Sequence, residues 1–307
     1  MIRNKIFYAI KPFIPRRLQI ALRRVLAQRR RKLYKDVWPI DAKAAKPPDH
    51  WSGWPDQKQF AFVLTHDVEC MKGVKKCLAL SELEEKLGFR SSFNFVLKDY
   101  AVPPEIRRIL DSKGFEVGIH GVTHDGRSFM YQKSFQEQSV IINQYLKDWG
   151  AVGYRTPSML GTLEWMHNLN IEYDASTFDT DPFEPKPLGA GTIFPYWEHS
   201  HANGSGFVEL PYTLPQDFTL FVILQEKSFD IWARKLDWIA ENGGMALLIT
   251  HPDYMSFGGK DPGLEEYSAE IYEKFLEYVR SRYEGKYWHA LPRDVAHFMK
   301  QSKAIGR

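Results

Sequence analysis

The chain has 307 residues, is 44% hydrophobic and 26% charged, and carries a formal net charge of +3, which is typical of a globular protein and excludes a fibrous or disordered chain. This length suits one large domain, or two smaller ones, with a sizeable core. The two cysteines, Cys70 and Cys77, favour a reducing compartment over a disulfide framework, so we expect a cytoplasmic location.

The first 36 residues are strongly basic. They carry twelve Lys or Arg residues and one acidic residue, a formal charge of +11, whereas residues 37–307 carry 29 basic and 37 acidic residues, a formal charge of −8. Leu18, Leu22, Val25 and Leu26 recur at helical spacing among the arginines, which predicts a short basic amphipathic helix. Such a helix either lies on an anionic membrane surface or packs on the body of the protein with its charged face in solvent. We expect no nucleic-acid partner, because no second basic patch or stacking motif accompanies the arm.

The N-terminal apolar residues do not predict a secretory signal. Lys5 and Lys11 interrupt them, and no uninterrupted apolar core follows. No segment of the sequence is long and apolar enough to predict a membrane-spanning helix. If the arm contacts a membrane, we therefore expect a peripheral contact at the inner face.

A change of pattern marks a domain boundary near residue 50. Pro47, Pro48 and a Trp-Ser-Gly-Trp-Pro stretch punctuate the chain there. We predict a basic amphipathic arm and linker over residues 1–50 and a catalytic barrel over residues 51–307.

Beyond this boundary, short apolar runs alternate with amphipathic helical stretches, which predicts βα units around a parallel sheet. The predicted strands cover residues 60–64, 93–97, 115–119, 152–154, 171–173, 207–210, 245–250 and 287–291. The predicted helices cover residues 74–87, a segment from Pro104 towards Gly114, a segment ending at Trp149, and residues 228–241 and 265–282.

Polar residues that could carry chemistry follow the C-terminal ends of several predicted strands. They are Asp67 and Glu69, His120 and His124, Arg155, Asp174 and Asp179, and His251. Because the carboxyl ends of parallel strands meet at one mouth, we expect these side chains to converge there.

His120 and His124 are candidate metal ligands. They lie four positions apart at a strand end, where Gly118 and Gly121 loosen the backbone. Both imidazoles can reach one cation, and a carboxylate from a neighbouring strand end would complete a site of two histidines and one carboxylate. The His-x-x-x-His spacing alone is weak evidence, and ordinary core or surface histidines are the alternative.

Five short motifs occur in a fixed order between residues 60 and 251. They are Thr65-His-Asp-Val-Glu69, His120-Gly-Val-Thr-His124, Arg155-Thr-Pro157, Ser176-Thr-Phe-Asp-Thr-Asp-Pro182 and Leu247-Leu-Ile-Thr-His251. In this order they resemble the motifs of the polysaccharide deacetylase family, which includes chitin, peptidoglycan and nodulation-factor deacetylases. The resemblance implies an α/β fold, a distorted (β/α)7 barrel, here preceded by the basic helical extension.

The resemblance also implies one divalent metal ion, commonly zinc, with cobalt, manganese or nickel as alternatives. Its implied ligands are Glu69, His120 and His124. The family usually has Asp at the first of these positions, so the longer Glu69 is a departure, and His66 is the alternative ligand.

Four catalytic roles follow from the resemblance together with the chemistry of the side chains. Asp67 acts as the general base that takes a proton from water, and Arg155 keeps Asp67 ionised and oriented. His251 protonates the departing amine, and Asp179 orients His251. The alternatives to Asp179 in this pairing are Asp181 and Asp174.

The expected activity is hydrolysis of an N-acetyl group on an amino sugar, in a glycan or glycan precursor of bacterial surface polysaccharide biosynthesis. The basic arm and the lack of a predicted export signal favour a lipid-linked or nucleotide-linked precursor at the inner membrane face. The alternatives are a deformylase, an O-deacetylase or a non-sugar amide hydrolase on the same scaffold. A catalytically silent glycan-binding barrel, tethered by the arm, is the alternative outside enzymes.

Overall fold

The structure, a computed structural model, describes residues 15–125, 129, 131–184, 189–200, 206–259 and 261–305. Residues 1–14, which form part of the predicted basic arm, lie outside the described residues.

The described part of the chain is a mixed α/β structure. Its strands are β1 (Phe60–Val68), β2 (Ser92–Phe95), β3 (Glu116–Ile119), β4 (Gly153–Tyr154), β5 (Tyr173–Asp174), β6 (Tyr196–His199), β7 (Gly206–Glu209), β8 (Met245–Thr250), β9 (Met255–Ser256), β10 (Tyr267–Ser268) and β11 (Tyr287–His289). Its α-helices are α1 (Arg16–Leu33), α2 (Met71–Val74), α3 (Cys77–Leu87), α4 (Pro104–Ser112), α5 (Gln132–Trp149), α6 (Leu163–Met166), α7 (Asp230–Glu241), α8 (Ala269–Arg282) and α9 (Pro292–Ile305).

The main sheet curls into a distorted barrel. Its strand order is β11-β1-β2-β3-β4-β5-β7-β6, and β8 pairs with β1. Every pair in it is parallel except β6 with β7. The gap between β7 and β8 is spanned by a parallel bridge of Leu214 to Leu248 and by a hydrogen bond from the Thr213 N–H to the Leu247 carbonyl, 3.0 Å. The α/β barrel predicted from the sequence is confirmed.

Strand β1 pairs with β2, β8 and β11, and its side chains point to two opposite faces of the sheet. Phe60, Phe62 and Leu64 pack in the core under the helices, whereas Ala61 and Val63 pack in the core inside the barrel. Because side chains alternate along a strand, this two-residue period carries on into the polar residues that follow.

Strand β1 extends to Val68, four residues beyond the predicted end at Leu64. The polar residues of this extension are buried, because they find partners inside the protein. The Thr65 hydroxyl donates to the Leu248 carbonyl (2.9 Å), and the two ring nitrogens of His66 lie 2.7 Å from the Thr250 hydroxyl and 2.8 Å from a Glu84 carboxylate oxygen.

The predicted helices are present with shifted ends. The segment 74–87 is divided into α2 and α3, and α3 ends at Gly88, whose φ of 85° is the left-handed conformation that glycine tolerates. The sequence patterns did not predict β6, the short pair β9 and β10, the π-helical turn Phe218–Ile223, or α9.

Helix α1 packs on the barrel. Ile20 is fully buried and Ala27 is 5% exposed, and the Arg24 guanidinium donates to the Val222 carbonyl (3.1 Å). Further along the chain, the Ile193 N–H donates to the Ala44 carbonyl (3.0 Å).

Among the described residues, no helix is both long and apolar enough to cross a bilayer. The predicted division at residue 50 remains a prediction.

Candidate active site

Asp67 lies at the C-terminal end of β1, on the face that points into the barrel. Its Oδ1 accepts hydrogen bonds from Arg155 Nη1 (3.0 Å) and from the side-chain amide of Asn94 (2.9 Å), its register partner on β2. Burial opposes ionisation of this carboxyl, but the positive charge of Arg155, followed by His120 and His251, outweighs burial and lowers the pKa of Asp67 to about 2. Asp67 is therefore a carboxylate at neutral pH.

The Arg155 side chain is fixed in place. It is fully buried, its Nε donates to the Ala175 carbonyl (2.8 Å), and its Nη1 also donates to the Thr65 hydroxyl (2.8 Å). Because these bonds determine where the guanidinium lies, Arg155 holds Asp67 in one position.

Glu69, His120 and His124 form a cluster. Their candidate ligand atoms all lie within 4.8 Å of one another. The His120 Nδ1 lies 3.2 Å from the Arg155 carbonyl oxygen, which can only accept a hydrogen bond. Nδ1 therefore carries the proton, and Nε2, which lies 3.9 Å from Asp67 Oδ2, keeps its lone pair for a ligand. Burial lowers the pKa of His120 to about 4, so its imidazole is neutral, as metal binding requires.

His124 and Glu69 show that this cluster fits a metal ion. Within the described residues, the buried His124 Nε2 makes no hydrogen bond, although a Glu69 carboxylate oxygen lies 3.1 Å away. Two imidazoles and one carboxylate this close together form the donor set that zinc and related divalent transition metals bind.

The Glu69 carboxylate is oriented by residues that the motifs did not predict. Tyr254 donates its hydroxyl proton to Glu69 Oε2 (2.5 Å), and the Glu69 N–H donates to Asp253 Oδ2 (2.9 Å). The Asp253 carboxylate also accepts the N–H groups of Cys70 (3.0 Å) and Gly73 (3.2 Å). Asp253 therefore fixes the loop that carries Glu69.

His66, the alternative ligand, lies outside the cluster. It occupies the helix-facing side of β1, where it is 1% exposed and pairs with Glu84 of α3 and with Thr250. Because Asp67 and His66 are adjacent on a strand, their side chains point to opposite faces of the sheet. The structure thus brings Glu69, and not His66, to the two histidines.

His251 is held by Asp217. The His251 Nδ1 lies 2.6 Å from Asp217 Oδ1, and the His251 N–H donates to Asp217 Oδ2 (2.8 Å), which also accepts the Tyr267 hydroxyl (3.0 Å). Burial alone would lower the pKa of His251, but the charge and hydrogen bond of Asp217, followed by the charge of Glu69, raise it to about 10. His251 is therefore an imidazolium at neutral pH.

The predicted pairing of Asp179 with His251 is wrong. The buried Asp179 carboxylate pairs with the ammonium group of Lys235 on α7. The Asp179 N–H bonds to the Tyr212 carbonyl (2.9 Å) beside the bridge that links Phe178 to Tyr212, and this pairing leaves the carboxylate on the side of the sheet that α7 covers. The two alternatives have other partners: Asp181 accepts from Tyr212, and Asp174 accepts from Ser176.

Asp217 carried one sequence signal. It is a single acidic residue just ahead of the seven-residue run Phe218–Leu224, which is apolar except for Thr219. This position predicts a buried carboxylate and hence a partner for it. No motif identified that partner. Asp253 and Tyr254 lie two and three positions after the fifth motif, and their residue types alone did not distinguish them from ordinary loop residues.

The convergent groups provide an acid and a base beside a candidate metal site. Asp67 is ionised and can accept a proton, whereas His251 is protonated and can donate one. The His251 Nε2 lies 3.8 Å from the Glu69 carboxylate. This arrangement can hydrolyse an amide or an ester.

Comparison with models of protein families and with the curated protein sequences gave no match. Solved structures do match. A Mycobacterium smegmatis protein described as a polysaccharide deacetylase superposes with a TM-score of 0.64 at 18% identity, covering 84% of this chain and 96% of that one. A Pseudomonas aeruginosa PAO1 protein described in the same way gives 0.61 at 18% identity, covering 86% and 98%. Puue allantoinase gives 0.61 at 16% identity, covering 85% and 96%. The chain therefore has the fold of the polysaccharide deacetylases, the distorted barrel that its five motifs predicted.

Proposed function

We propose that the protein is a metal-dependent hydrolase that removes the N-acetyl group from an amino sugar of a glycan or glycan precursor in bacterial surface polysaccharide biosynthesis. The observation that carries this proposal is the cluster of Glu69, His120 and His124, which lies close to the ionised Asp67 and to the protonated His251. The fold supports a hydrolase but leaves the substrate open, because an allantoinase shares it.

One divalent cation would be held by Glu69, His120 and His124. We propose zinc, and cobalt, manganese or nickel suit the same donors. When bound, such a cation polarises the substrate carbonyl and makes a nearby water more acidic.

Asp67 is the proposed general base. Its carboxylate accepts a proton from the water that attacks the acetyl carbon, and its bonds to Arg155 and Asn94 keep it ionised and aligned. A carbon–oxygen bond forms at the acetyl carbon.

His251 is the proposed general acid. The imidazolium donates its Nε2 proton to the sugar nitrogen as the carbon–nitrogen bond breaks, so the products are acetate and a free amine. Asp217 accepts a hydrogen bond from the Nδ1–H of the ring, which orients Nε2 towards the site and stabilises the charged form before the transfer.

We infer that the sugar is carried by a lipid or a nucleotide, and that the protein acts in the cytoplasm at the inner face of the membrane. The basic helix α1 beside the barrel supports this inference, and so do the two unpaired cysteines, Cys70 and Cys77.

Acetate release from nucleotide-linked and lipid-linked N-acetylated amino sugars tests the proposal. The zinc-loaded protein should release acetate, and Asp67→Asn, as the matched control, should not. Release of formate or of O-linked acetate from matched substrates would instead support the alternative hydrolases. Binding of the glycan without release of any acyl group would support the silent glycan-binding barrel. The pairing of a protonated His251 with an ionised Asp67 argues against that alternative, because binding alone needs neither an acid nor a base.

A further inference from the structure

Helix α1 turns its apolar side away from the protein. Leu18, Leu22, Val25 and Leu26 share one face of the helix, and between 50% and 57% of each is exposed. A helix whose only role is to pack on a domain turns its apolar face inward. In α1, the inward apolar contacts are instead made by residues on the opposite side, chiefly the fully buried Ile20.

Arginines hold this orientation of α1. The guanidinium of Arg24 donates to the Val222 carbonyl (3.1 Å), that of Arg30 donates to the Pro182 carbonyl (3.0 Å), and that of Arg31 pairs with Glu226 (2.5 Å). Rolling the helix to bury its leucines would break all three contacts. The outward position of the apolar face is therefore built into the packing.

We propose that the outward face of α1 is a membrane-binding surface for an anionic bilayer. Leu18, Leu22, Val25 and Leu26 would lie among the lipid headgroups and upper acyl chains. Arg17 lies beside this apolar face and Arg29 continues it towards the C-terminus of the helix. Both side chains are exposed, and α1 contains no acidic residue. An apolar face bordered by positive charge complements an anionic lipid surface, which offers both an apolar interior and negative headgroups.

The position of α1 would bring the candidate active site to that surface. The Arg23 guanidinium lies over the ring of Phe218 (4.9 Å), and that ring packs against Tyr254 (4.7 Å), whose hydroxyl binds Glu69. The helix thus lies beside the site. Membrane binding itself does not depend on the catalytic proposal, whereas delivery of a lipid-linked sugar to the site rests on the proposed deacetylase function.

Flotation of the full-length protein with vesicles tests this surface. We expect the protein to float with vesicles of phosphatidylcholine and phosphatidylglycerol, and not with phosphatidylcholine alone. The double variant Leu22→Ser and Leu26→Ser should bind the anionic vesicles about tenfold more weakly or worse. The matched control is Ile109→Ser with Val140→Ser, which removes exposed apolar side chains from α4 and α5 and should bind like the wild type.

Charge reversal provides the second arm of the test. Arg17→Glu with Arg29→Glu should abolish flotation, whereas Arg108→Glu with Lys274→Glu, on exposed positions of α4 and α8, should weaken it far less. Thermal unfolding of every variant verifies that it is folded, and its metal content reports on the proposed catalytic site separately from the membrane surface.

Two results would overturn the proposal. The leucine variant could float as well as the wild type, which would mean that residues 1–14 or another segment bind the vesicles. Alternatively, the wild type could fail to float while the leucine variant changes the oligomeric state in solution, which would mean that a second copy of the chain covers this face.

Discussion

Asp217 accepts two hydrogen bonds from His251, one from the ring Nδ1 at 2.6 Å and one from the backbone N–H at 2.8 Å. The two residues are separated by 34 positions in the sequence. This double contact fixes the ring orientation and raises the pKa of His251 to about 10, so the pair forms a proton donor that stays charged across the neutral range.

Asp217→Asn should shift the alkaline limb of the pH profile of kcat/KM to lower pH. The carboxylate is what raises the pKa of His251; without it, burial remains and lowers that pKa. His251 must be protonated to act as the acid, so activity should be lost at a pH lower by at least about one unit, the smallest shift that a close opposite charge produces. Steady-state kinetics between pH 6 and about 11 measures the limb in the wild type and the variant.

Asp179→Asn is the matched control for that profile. Asp179 pairs with the buried Lys235, so its replacement should cost about 3–5 kcal/mol of unfolding free energy by leaving an uncompensated charge. The alkaline limb of the remaining activity should not move. If the alkaline limb of kcat/KM shifts in Asp179→Asn and stays in place in Asp217→Asn, then Asp179, as the sequence predicted, and not Asp217 is the partner of His251 in solution.

Asp67→Asn should remove turnover and leave the metal bound. An amide cannot accept the proton of water, and loss of a general base costs about 10²–10⁴-fold in rate. Asp67 is not part of the Glu69, His120 and His124 cluster, so zinc content should stay near that of the wild type. His120→Ala should lose both zinc and turnover. Turnover within a few-fold of wild type in Asp67→Asn would overturn its assignment as the base.

Gly73→Ala should weaken zinc binding although the residue lies outside the cluster. A Cβ at Gly73 would lie 2.3 Å from Asp253 Oδ2, so the carboxylate that holds the Glu69 N–H must move. Loss of such support for a metal ligand costs about 10–100-fold in affinity. Competition with a chelating dye measures the dissociation constant.

Gly88→Ala is the control for this effect. Gly88 has a φ of 85° with no atom within 4 Å of an added Cβ, so alanine there should cost about 1 kcal/mol through backbone strain and leave zinc affinity unchanged. Equal zinc affinity in Gly73→Ala and the wild type would show that Asp253 does not position Glu69.

The parallel strands explain why much of the site could be predicted. Apolar runs such as 60–64 and 245–250 marked β1 and β8, and parallel strands bring their C-terminal residues to one mouth whatever lies between them. Asp67, Arg155 and His251 could therefore be placed together from their positions alone. The barrel fold followed from the order of the motifs.

The missed residues depend on contacts that no local pattern encodes. Asp217 follows an irregular segment after β7, and its distance from His251 is decided by how that segment folds beside β8. Glu69 has a side chain one methylene longer than aspartate, and only the structure shows that Tyr254 holds its carboxylate while Asp253 holds its backbone N–H. The helical period of α1 was correctly predicted, but the period cannot tell which face turns inward.

The metal content of the purified protein, determined by elemental mass spectrometry, tests the central claim most directly. The wild type should contain near one equivalent of zinc or another divalent transition metal, and Glu69→Ala and His120→Ala, prepared identically, should contain little. His66→Asn is the control and should keep its metal, because His66 lies on the opposite face of β1. Absence of metal from the wild type after incubation with zinc, cobalt or manganese, or loss of metal from His66→Asn and not from Glu69→Ala, would contradict the account.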